Sequence, residues 1–443
     1  MPFGSQRSNV ETIQALGGLA HDVFVGSVVN NVRRVSATSG VFQDAEPGTD
    51  YKLVGDAMVF ATELRFKTGA LATDGSIPDH VGIDAVNGRV TPVRRYQRIA
   101  MDNFVEARVT GEGAFDDFRD RLFDHLWDAW ESMEARQSVG ESSGLLCVVD
   151  ARLSATSIRV RDGYGNTGTN PLTNLSENSI IGWWDVSENR VGGAAKITNT
   201  GIDYVDNELT LDSAATWETA VGAQIAPGDL IYFATTHDTT RDYFTLERNL
   251  APNGVGTLLD PSAAYTAVHD IDEGVYPRWK PFRADAVNAD HMEFKEHWLQ
   301  LGQKRGFPVT PSTDVAIAFP SVVAHVARSL IGFQQQMALG GELEGGYSGV
   351  SVNGIRFLED PFFYHNHAVT IARDHLFRIP LGGDADFFSE DGSMFQRIAD
   401  FDGKEAFVVD YLQNMTNHRG AHGVLANIVT DLDDELFTNV PNY

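Results

Sequence analysis

His365 and His367 form the arrangement in this chain that comes closest to a metal site. Alternate residues of a strand point to the same face of a sheet, so two imidazoles at this spacing could share one ion. Asp374 and His375 follow nearby, but a third and a fourth ligand at regular spacing are missing. The pattern therefore predicts no metal site, and no other segment predicts a cofactor.

Ser142, Ser143 and Cys147 are the candidates for nucleophilic chemistry. The serines stand beside Gly144 but lack the strand–turn–helix setting and the full pattern of a nucleophile elbow. Cys147, the single cysteine, lies in the apolar run LLCVV, which is typical of a core residue, and one cysteine excludes an internal disulfide. The glycine-rich run GGELEGGYSGV lacks the lysine of a phosphate-binding loop. No catalytic constellation emerges, and we expect no enzymatic activity.

Trp183 and Trp184, together with the abundant carboxylates, leave a carbohydrate-active enzyme open as one alternative. No carboxylate pair has a spacing that singles it out for glycoside hydrolysis, and we expect the tryptophan pair to belong to a core or a strand edge. The short β-type runs between residues 151 and 281 leave a β-rich surface or adhesion protein open as a second alternative. The sequence has no pattern of a signal peptide, and this and the long helix described below count against that alternative.

The chain is strongly acidic. Its 34 basic and 61 acidic residues give a net charge of −27, and 39 aspartates stand against 7 lysines. This balance argues against binding DNA or an anionic membrane through a basic patch. It is also a balance that a protein working in concentrated salt tolerates, because salt screens the repulsion between carboxylates. No run of 18 apolar residues predicts a membrane span.

The carboxylates are most regular on a helix that we predict over residues 113–137. Apolar residues from Phe115 to Met133 recur at spacings of three and four, which places them on one stripe. The opposite face carries a row of aspartates: Asp116, Asp120, Asp124 and Asp128. At 1.5 Å per residue the helix spans roughly 37 Å, and Gly140 follows as its stop signal. We expect the acidic face to be solvated or to face other subunits rather than to supply acid–base pairs.

The segments on either side of this helix differ in type. Residues 51–67 and 88–110 predict two long strands joined by a flexible tip, and because such a hairpin is a poor fold by itself, we expect it to lie on another subunit. Residues 151–281 predict the strands of a small barrel or sandwich. Two further helices are predicted at residues 290–304 and 319–339.

The order of these pieces resembles that of the major capsid proteins of tailed phages, whose fold is shared with the herpesvirus capsid floor. The resemblance rests on four segments: MEARQSVGESSGLLCVVD at the end of the helix, YSGVSVNGIRFLEDPFF, IARDHLFRIPL and the final YLQNMTNHRGAHGVLANI. It covers most of the chain, and its specificity lies in the order of the segments. Residues 151–281 would be an insertion relative to the smallest family members.

The resemblance implies an α+β fold with six parts. These are an extended N-terminal arm (1–48), a long β-hairpin or E-loop (49–111), the spine helix and first strand of the peripheral P-domain (112–150), a β-rich inserted lobe (151–281), an α/β A-domain (282–410), and the closing P-domain strand with the C-terminal tail (411–443). It also implies a major capsid protein, which self-assembles as hexamers and pentamers into the icosahedral shell around packaged double-stranded DNA. Such a protein is assembled in the host cytoplasm and located in the virion.

The same resemblance implies partners and contact residues. Besides other copies of the chain, we expect a portal and a separate scaffolding protein, since no cleaved scaffold segment is evident after Met1. Whether a decoration protein also binds the shell is left open. We expect the shell to face packaged DNA without binding it specifically, and we expect no membrane partner. The expected subunit contacts are Lys67, Arg94, Arg95, Arg98, Asp116, Asp120, Asp124 and Asp128, and the expected hinges of the helix are Gly111, Gly113 and Gly140. The aspartate excess leaves two hosts open: a halophilic archaeon, or an ordinary bacterium whose phage turns its acidic surface toward the packaged DNA.

Overall fold

The computed structural model describes residues 36–65, 84–102, 112–161, 172, 175, 177, 179–187, 189–204, 206–212, 224–234, 251–259, 267–286, 290–337, 350–364, 366–381, 386–387, 395–397 and 402–429. Within these residues the chain is a mixed α+β protein, rich in strands and with few helices, as the sequence predicts. No helix in this part of the chain is both long enough and apolar enough to cross a membrane.

The α-helices of the described residues are α1 (Glu112–Val139), α2 (Val255–Leu259), α3 (His291–Arg305) and α4 (Pro320–Met337). The three long ones confirm the predicted helices. α1 ends where Gly140 donates its N–H to the Arg136 carbonyl (3.0 Å). α3 is capped at both ends, because the Asp290 carboxylate accepts two N–H bonds from the first turn and Gly306 takes the left-handed conformation (φ 86°).

The N-terminal strands are β1 (Gln43–Asp44), β2 (Lys52–Val54), β3 (Ala57–Arg65), β4 (Asp84–Val90) and β5 (Val93–Asp102). The single strand predicted over residues 51–67 is therefore two strands, because Gly55 (φ 65°) turns the chain between β2 and β3. β2, β3 and β4 form a three-stranded sheet. β5 lies outside that sheet and pairs over its 10 residues with a strand near the C-terminus.

The middle of the chain forms a closed barrel of six strands: β6 (Cys147–Arg152), β7 (Ser157–Arg161), β8 (Ile180–Asp185), β9 (Arg190–Asp203), β10 (Glu208–Leu211) and β11 (Leu230–Phe233). Buried apolar side chains such as Ile158, Ile181 and Trp183 fill its interior, so the barrel encloses a core rather than a cavity. Of the two architectures that the sequence allows, the barrel is the one found. It begins at Cys147, so β6 belongs to the barrel and not, as we predicted, to the domain of the spine helix.

The remaining strands are β12 (Ala267–Val268), β13 (Ile271–Asp272), β14 (Phe282–Asp285), β15 (Asp314–Ala318), β16 (Ser351–Val352), β17 (Ile355–Glu359), β18 (Ala368–Ala372), β19 (Leu376–Pro380), β20 (Asp386–Phe387), β21 (Gln396–Arg397), β22 (Gly403–Thr416) and β23 (Gly423–Ala426). A six-stranded mixed sheet has the order β14–β23–β18–β15–β17–β16. α3 and α4 pack on this sheet through side chains such as Phe294 and Val322. Asn353 (φ 52°) and Gly354 (φ 80°) make the tight turn between β16 and β17.

A second six-stranded sheet, which we call the spine sheet, lies against α1. Its order is β1–β19–β22–β20, and β5 and β21 also pair with β22. The predicted domain boundary between residues 410 and 411 falls inside β22, so that boundary is wrong. β23, which we expected to close the P-domain, pairs with β14 and β18 in the other sheet. The tight turn at Arg419–Ala421 separates the last two strands and directs each to a different sheet.

The described base of the predicted E-loop packs on its own subunit. Met58 and Phe60 of β3 lie in one buried cluster with Trp279, Phe377 and Met415. These strands therefore find apolar contact within their own subunit, and the expectation that the hairpin also lies on a neighbouring subunit stays a prediction. The tip of the hairpin, residues 66–83, lies outside the described residues.

Candidate functional site

The inner face of the spine sheet, which lies toward α1, carries a buried ion pair. Arg95 on β5 and Asp410 on β22 are register partners, and the Arg95 guanidinium donates to the Asp410 carboxylate. Their side chains are 3% and 0% exposed. From α1, Gln137 accepts a hydrogen bond from Arg95 (3.3 Å), and the Trp130 ring centroid lies 4.8 Å from the guanidinium carbon. The pair therefore joins two strands and the long helix at one point.

A second arginine extends this network to a third strand. Arg378 on β19 pairs with Glu134 of α1 (2.7 Å) and lies 3.7 Å from the Asp410 carboxylate. Burial lowers the pKa of the Arg95 guanidinium, whereas the charge of Asp410 raises it. Two arginines thus face two carboxylates, so the charges of the buried pair are balanced within the network.

Arg95 is consequently not a subunit contact. We expected it to meet a neighbouring subunit together with Arg94 and Arg98, but its side chain is enclosed within its own subunit. Successive residues of a strand face opposite sides of a sheet, so a run of basic residues on β5 is divided between the two faces.

The outer face of the spine sheet is aromatic and basic. Tyr96 on β5 is 51% exposed and Tyr411 on β22 is 39% exposed. The guanidinium carbon of Arg94 lies 6.0 Å from the Tyr411 ring centroid, and a hydrogen bond with Tyr96 raises the pKa of the Tyr411 hydroxyl. Arg98 stands opposite Phe407 in the same register, and its side chain lies outside the described part of the structure. Exposed tyrosine and arginine together are typical of protein–protein interfaces.

The predicted acidic row lies on α1, on the other side of this layer. Asp124 is exposed and Asp128 is half-buried, while Asp116 and Asp120 lie in the first half of the helix with side chains outside the description. Leu126 and Trp130 pack the apolar stripe of α1 against Val408 of the spine sheet. The stripe faces the sheet, so the exposed Asp124 points away from the layer whose opposite surface carries Arg94.

The predicted hinge glycines differ in their settings. Gly113 lies within the first turn of α1 rather than ahead of it, and Gly111 and Lys67 lie outside the described residues. Gly140 is closely packed, because a side chain on Gly254 would overlap the Gly140 carbonyl oxygen. The end of α1 rests directly on the loop before α2. A hinge at either end of α1 remains a prediction.

Several residues that we considered for catalysis or metal binding are buried or hydrogen-bonded within the fold. Cys147 and Trp183 are both 0% exposed in the barrel core, so neither a substrate nor a sugar ring reaches them. Ser142 donates its backbone N–H to the Thr257 hydroxyl (2.7 Å). His365 lies outside the described residues, and among those described no three metal-ligating side chains are grouped to hold an ion.

Sequence reasoning missed the residue that anchors the N-terminal segment. Asp360, which follows β17, is 0% exposed. Its carboxylate accepts hydrogen bonds from the hydroxyls of Ser36 and Thr38 and from the backbone N–H groups of Thr38 (3.0 Å) and Phe362 (2.9 Å). The segment from residue 36 onward is therefore fastened to its own subunit, while residues 1–35 of the predicted arm lie outside the description. One aspartate between a strand and the run PFF gives no signal of this long-range role.

The fold can be compared with known structures on this basis. The sequence matches no protein-family model and no curated protein. The structure is similar to that of the cyanophage A-1(L) capsid asymmetric unit, with a TM-score of 0.53, 12% sequence identity, and coverage of 94% of this chain and 98% of that one. The chain has the fold of a tailed-phage capsid protein.

Two further capsid structures are similar to this chain at lower TM-scores. The capsid of the native GTA particle has a TM-score of 0.46 at 7% identity and covers 94% of this chain and 98% of its own. The capsid of cyanophage P-SCSP1u has a TM-score of 0.44 at 10% identity, with 93% of each chain covered. The likeness to the cyanophage A-1(L) capsid carries the fold assignment.

Proposed function

We propose that this chain is a major capsid protein, which self-assembles as hexamers and pentamers into an icosahedral shell around packaged double-stranded DNA. The supporting observation is the capsid fold over nearly the whole chain, at a TM-score of 0.53. The role is structural and not enzymatic. The protein would be assembled in the host cytoplasm and reside in the virion, and the aspartate excess supports a haloarchaeal host.

The two faces of the spine-sheet layer support assembly from one kind of subunit. One surface presents Arg94, Tyr96 and Tyr411, and the other presents the exposed Asp124 of α1. Surfaces of opposite charge on one molecule favour head-to-tail contacts, which close into rings when the rotation fits. We infer that Arg94 and Arg98, with Lys67, contribute basic contacts, and that Asp116, Asp120, Asp124 and Asp128 contribute acidic ones.

We also propose how the parts of the chain correspond to a capsid subunit. α1 with the spine sheet forms the P-domain, and the mixed sheet with α3 and α4 forms the A-domain. The barrel, from Cys147 to Phe233, is the inserted lobe. We assign residues 1–48 to the N-terminal arm and residues 49–111 to the E-loop. The proposed partners are a portal, a separate scaffolding protein and a decoration protein. The shell would face the packaged DNA with carboxylates that repel it, without specific binding.

The experiment that tests this function is assembly of the purified chain. The protein is expressed alone and with a candidate scaffolding protein, and both samples are examined by sedimentation velocity and negative-stain electron microscopy from tens of millimolar to molar salt. We expect closed, uniform shells in at least one condition. A protein that stays monomeric in every condition would refute the proposal.

A further inference from the structure

Two of the seven lysines of this chain lie side by side. The ammonium of Lys304, at the end of α3, donates to the backbone carbonyl of Lys280 (2.6 Å). The main chain at Arg278 touches Gly420, which leaves no room there for a side chain. Arg278, Lys280 and Lys304 are all exposed, and together we call them the basic patch.

An aromatic floor adjoins the basic patch. The rings of His375 and His418 meet edge to face with centroids 5.2 Å apart. The exposed Phe307 ring lies 6.3 Å from His375 and 6.4 Å from His418. Gly420, which the main chain at Arg278 touches, lies two residues after His418, and this places the floor beside the patch.

The two arginines near the floor, Arg305 and Arg419, are already paired with carboxylates. Arg305 forms an ion pair with Asp314 (2.6 Å) in which both side chains are 0% exposed, and Arg419 pairs with Glu273. Within the described part of the chain, neither Lys280 nor Lys304 is paired with a carboxylate. Partial burial, and then the charge of Lys280, lowers the pKa of Lys304 to about 8.

We propose that the basic patch binds a carboxylate-bearing segment of a second copy of this chain. The inference rests on the proposed function and specifies one of its contacts. Charge complementarity favours this partner, because a second copy carries 61 acidic residues against 34 basic ones. The aromatic floor suits an apolar side chain flanked by carboxylates. Double-stranded DNA fits less well, since three cations on a chain of net charge −27 neutralise few phosphates.

Zero-length cross-linking with mixed isotopes tests this contact directly. Unlabelled and ¹⁵N-labelled protein are mixed in equal amounts before assembly and treated with a carbodiimide, which joins an ammonium to a carboxylate in contact with it. We expect Lys280 or Lys304 in peptide pairs that combine a labelled and an unlabelled chain. The inference would be overturned if Lys280 and Lys304 were linked only within chains of one isotope. It would also be overturned if these two lysines formed no links while other lysines did.

Charge reversal provides an independent readout. Lys280→Glu with Lys304→Glu should keep the wild-type circular dichroism and thermal transition, but raise the protein concentration needed for half-assembly by about tenfold or more. The matched control is Lys52→Glu with Arg356→Glu, which makes the same charge change at two exposed residues that are not members of the patch. The inference is contradicted if both double variants assemble equally well. It is contradicted even if the lysine double variant then retains less DNA than the control.

The two proposals can fail separately. If the wild type forms oligomers other than shells and these contain the mixed-isotope links, the proposed function fails and the contact stands. If shells form without such links at Lys280 or Lys304, the function stands and the contact is wrong.

Discussion

Arg95 on β5 and Asp410 on β22 form a buried ion pair between strands whose pairing brings together residues 315 positions apart. The pair is covered by α1, which contributes Gln137 and Trp130 to it. A shift of β5 by one residue would turn Arg95 to the outer face and leave Asp410 buried with only the more distant Arg378 nearby. The ion pair therefore specifies how the predicted E-loop joins the layer of the spine helix.

Arg95→Met should lower the free energy of unfolding by about 3–5 kcal/mol, because it leaves the Asp410 carboxylate buried without its main partner. Arg94→Met, on the outer face of the same strand, should change it by less than about 0.5 kcal/mol. Chemical denaturation of the unassembled subunit measures both values. Equal effects of the two substitutions would show that Arg95 is not held as described.

Gly192→Ala should destabilise the barrel by about 1–3 kcal/mol, since a methyl group at Gly192 would overlap the Trp183 ring in the barrel core. Adding Trp183→Phe should recover part of the loss by making room for the methyl group. Gly40→Ala is the matched control, because nothing lies within 4 Å of that position. Thermal unfolding of the three variants checks this, and a Gly192→Ala protein as stable as the control would refute it.

The stability of the subunit should fall as the pH drops below about 6.5. Burial, and then the charge of Arg419, lowers the pKa of His269 to about 3, and its Nε2 accepts the Thr416 N–H (3.2 Å). An unfolded histidine titrates near 6.5, so between these values the unfolded state binds the extra proton and acid favours unfolding.

His269→Asn tests this pH dependence. Asparagine tolerates the left-handed backbone at this position (φ 57°). The free energy of unfolding of the variant should be lower than that of the wild type at pH 8. Between pH 6.5 and 4 it should decline less steeply than in the wild type, by up to about 1.4 kcal/mol per pH unit. Denaturation curves at several pH values measure the slope. Parallel declines for variant and wild type would mean that His269 does not titrate on unfolding.

Arg94→Glu should block or weaken assembly while leaving a soluble, folded subunit. The reason is that Arg94 lies on the exposed outer face of the spine sheet, where a reversed charge meets the acidic surface of a neighbouring copy. Arg397→Glu, also on an exposed basic residue, is the control. Normal shells from the Arg94 variant, seen by electron microscopy, would remove this residue from the interface.

Assembled particles should loosen when salt is diluted from molar to tens of millimolar. The Debye length grows from about 3 Å at 1 M to about 30 Å at 0.01 M, so repulsion among subunits of net charge −27 then acts over whole subunits. Light scattering during dilution, with a chelator present to remove divalent cations, follows the loss of particles. If the particles stay intact at low salt, the proposal of a halophilic host is wrong, and the capsid proposal is unaffected.

The helices could be predicted from the sequence because their signals are local. The apolar stripe of α1 repeats within the helix itself, and Gly140 follows its last turn. The same holds for α3, where Asp290 and Gly306 mark the two ends. The β character of the middle segment was also readable, because alternating runs and turn residues are local features. The order of these elements was sufficient to indicate the capsid fold.

The pairing of the strands could not be predicted, because it depends on contacts between residues far apart in the chain. Alternation along β5 places Arg94 and Tyr96 on one face and Arg95 on the other, and this much is determined by the sequence alone. Only the tertiary structure decides which face α1 covers, and hence that Arg95 is a buried partner of Asp410 while Arg94 remains available to a neighbour. The physical reason is that burial of a charge depends on what packs over it, and here the covering helix and the pairing strand come from distant parts of the sequence.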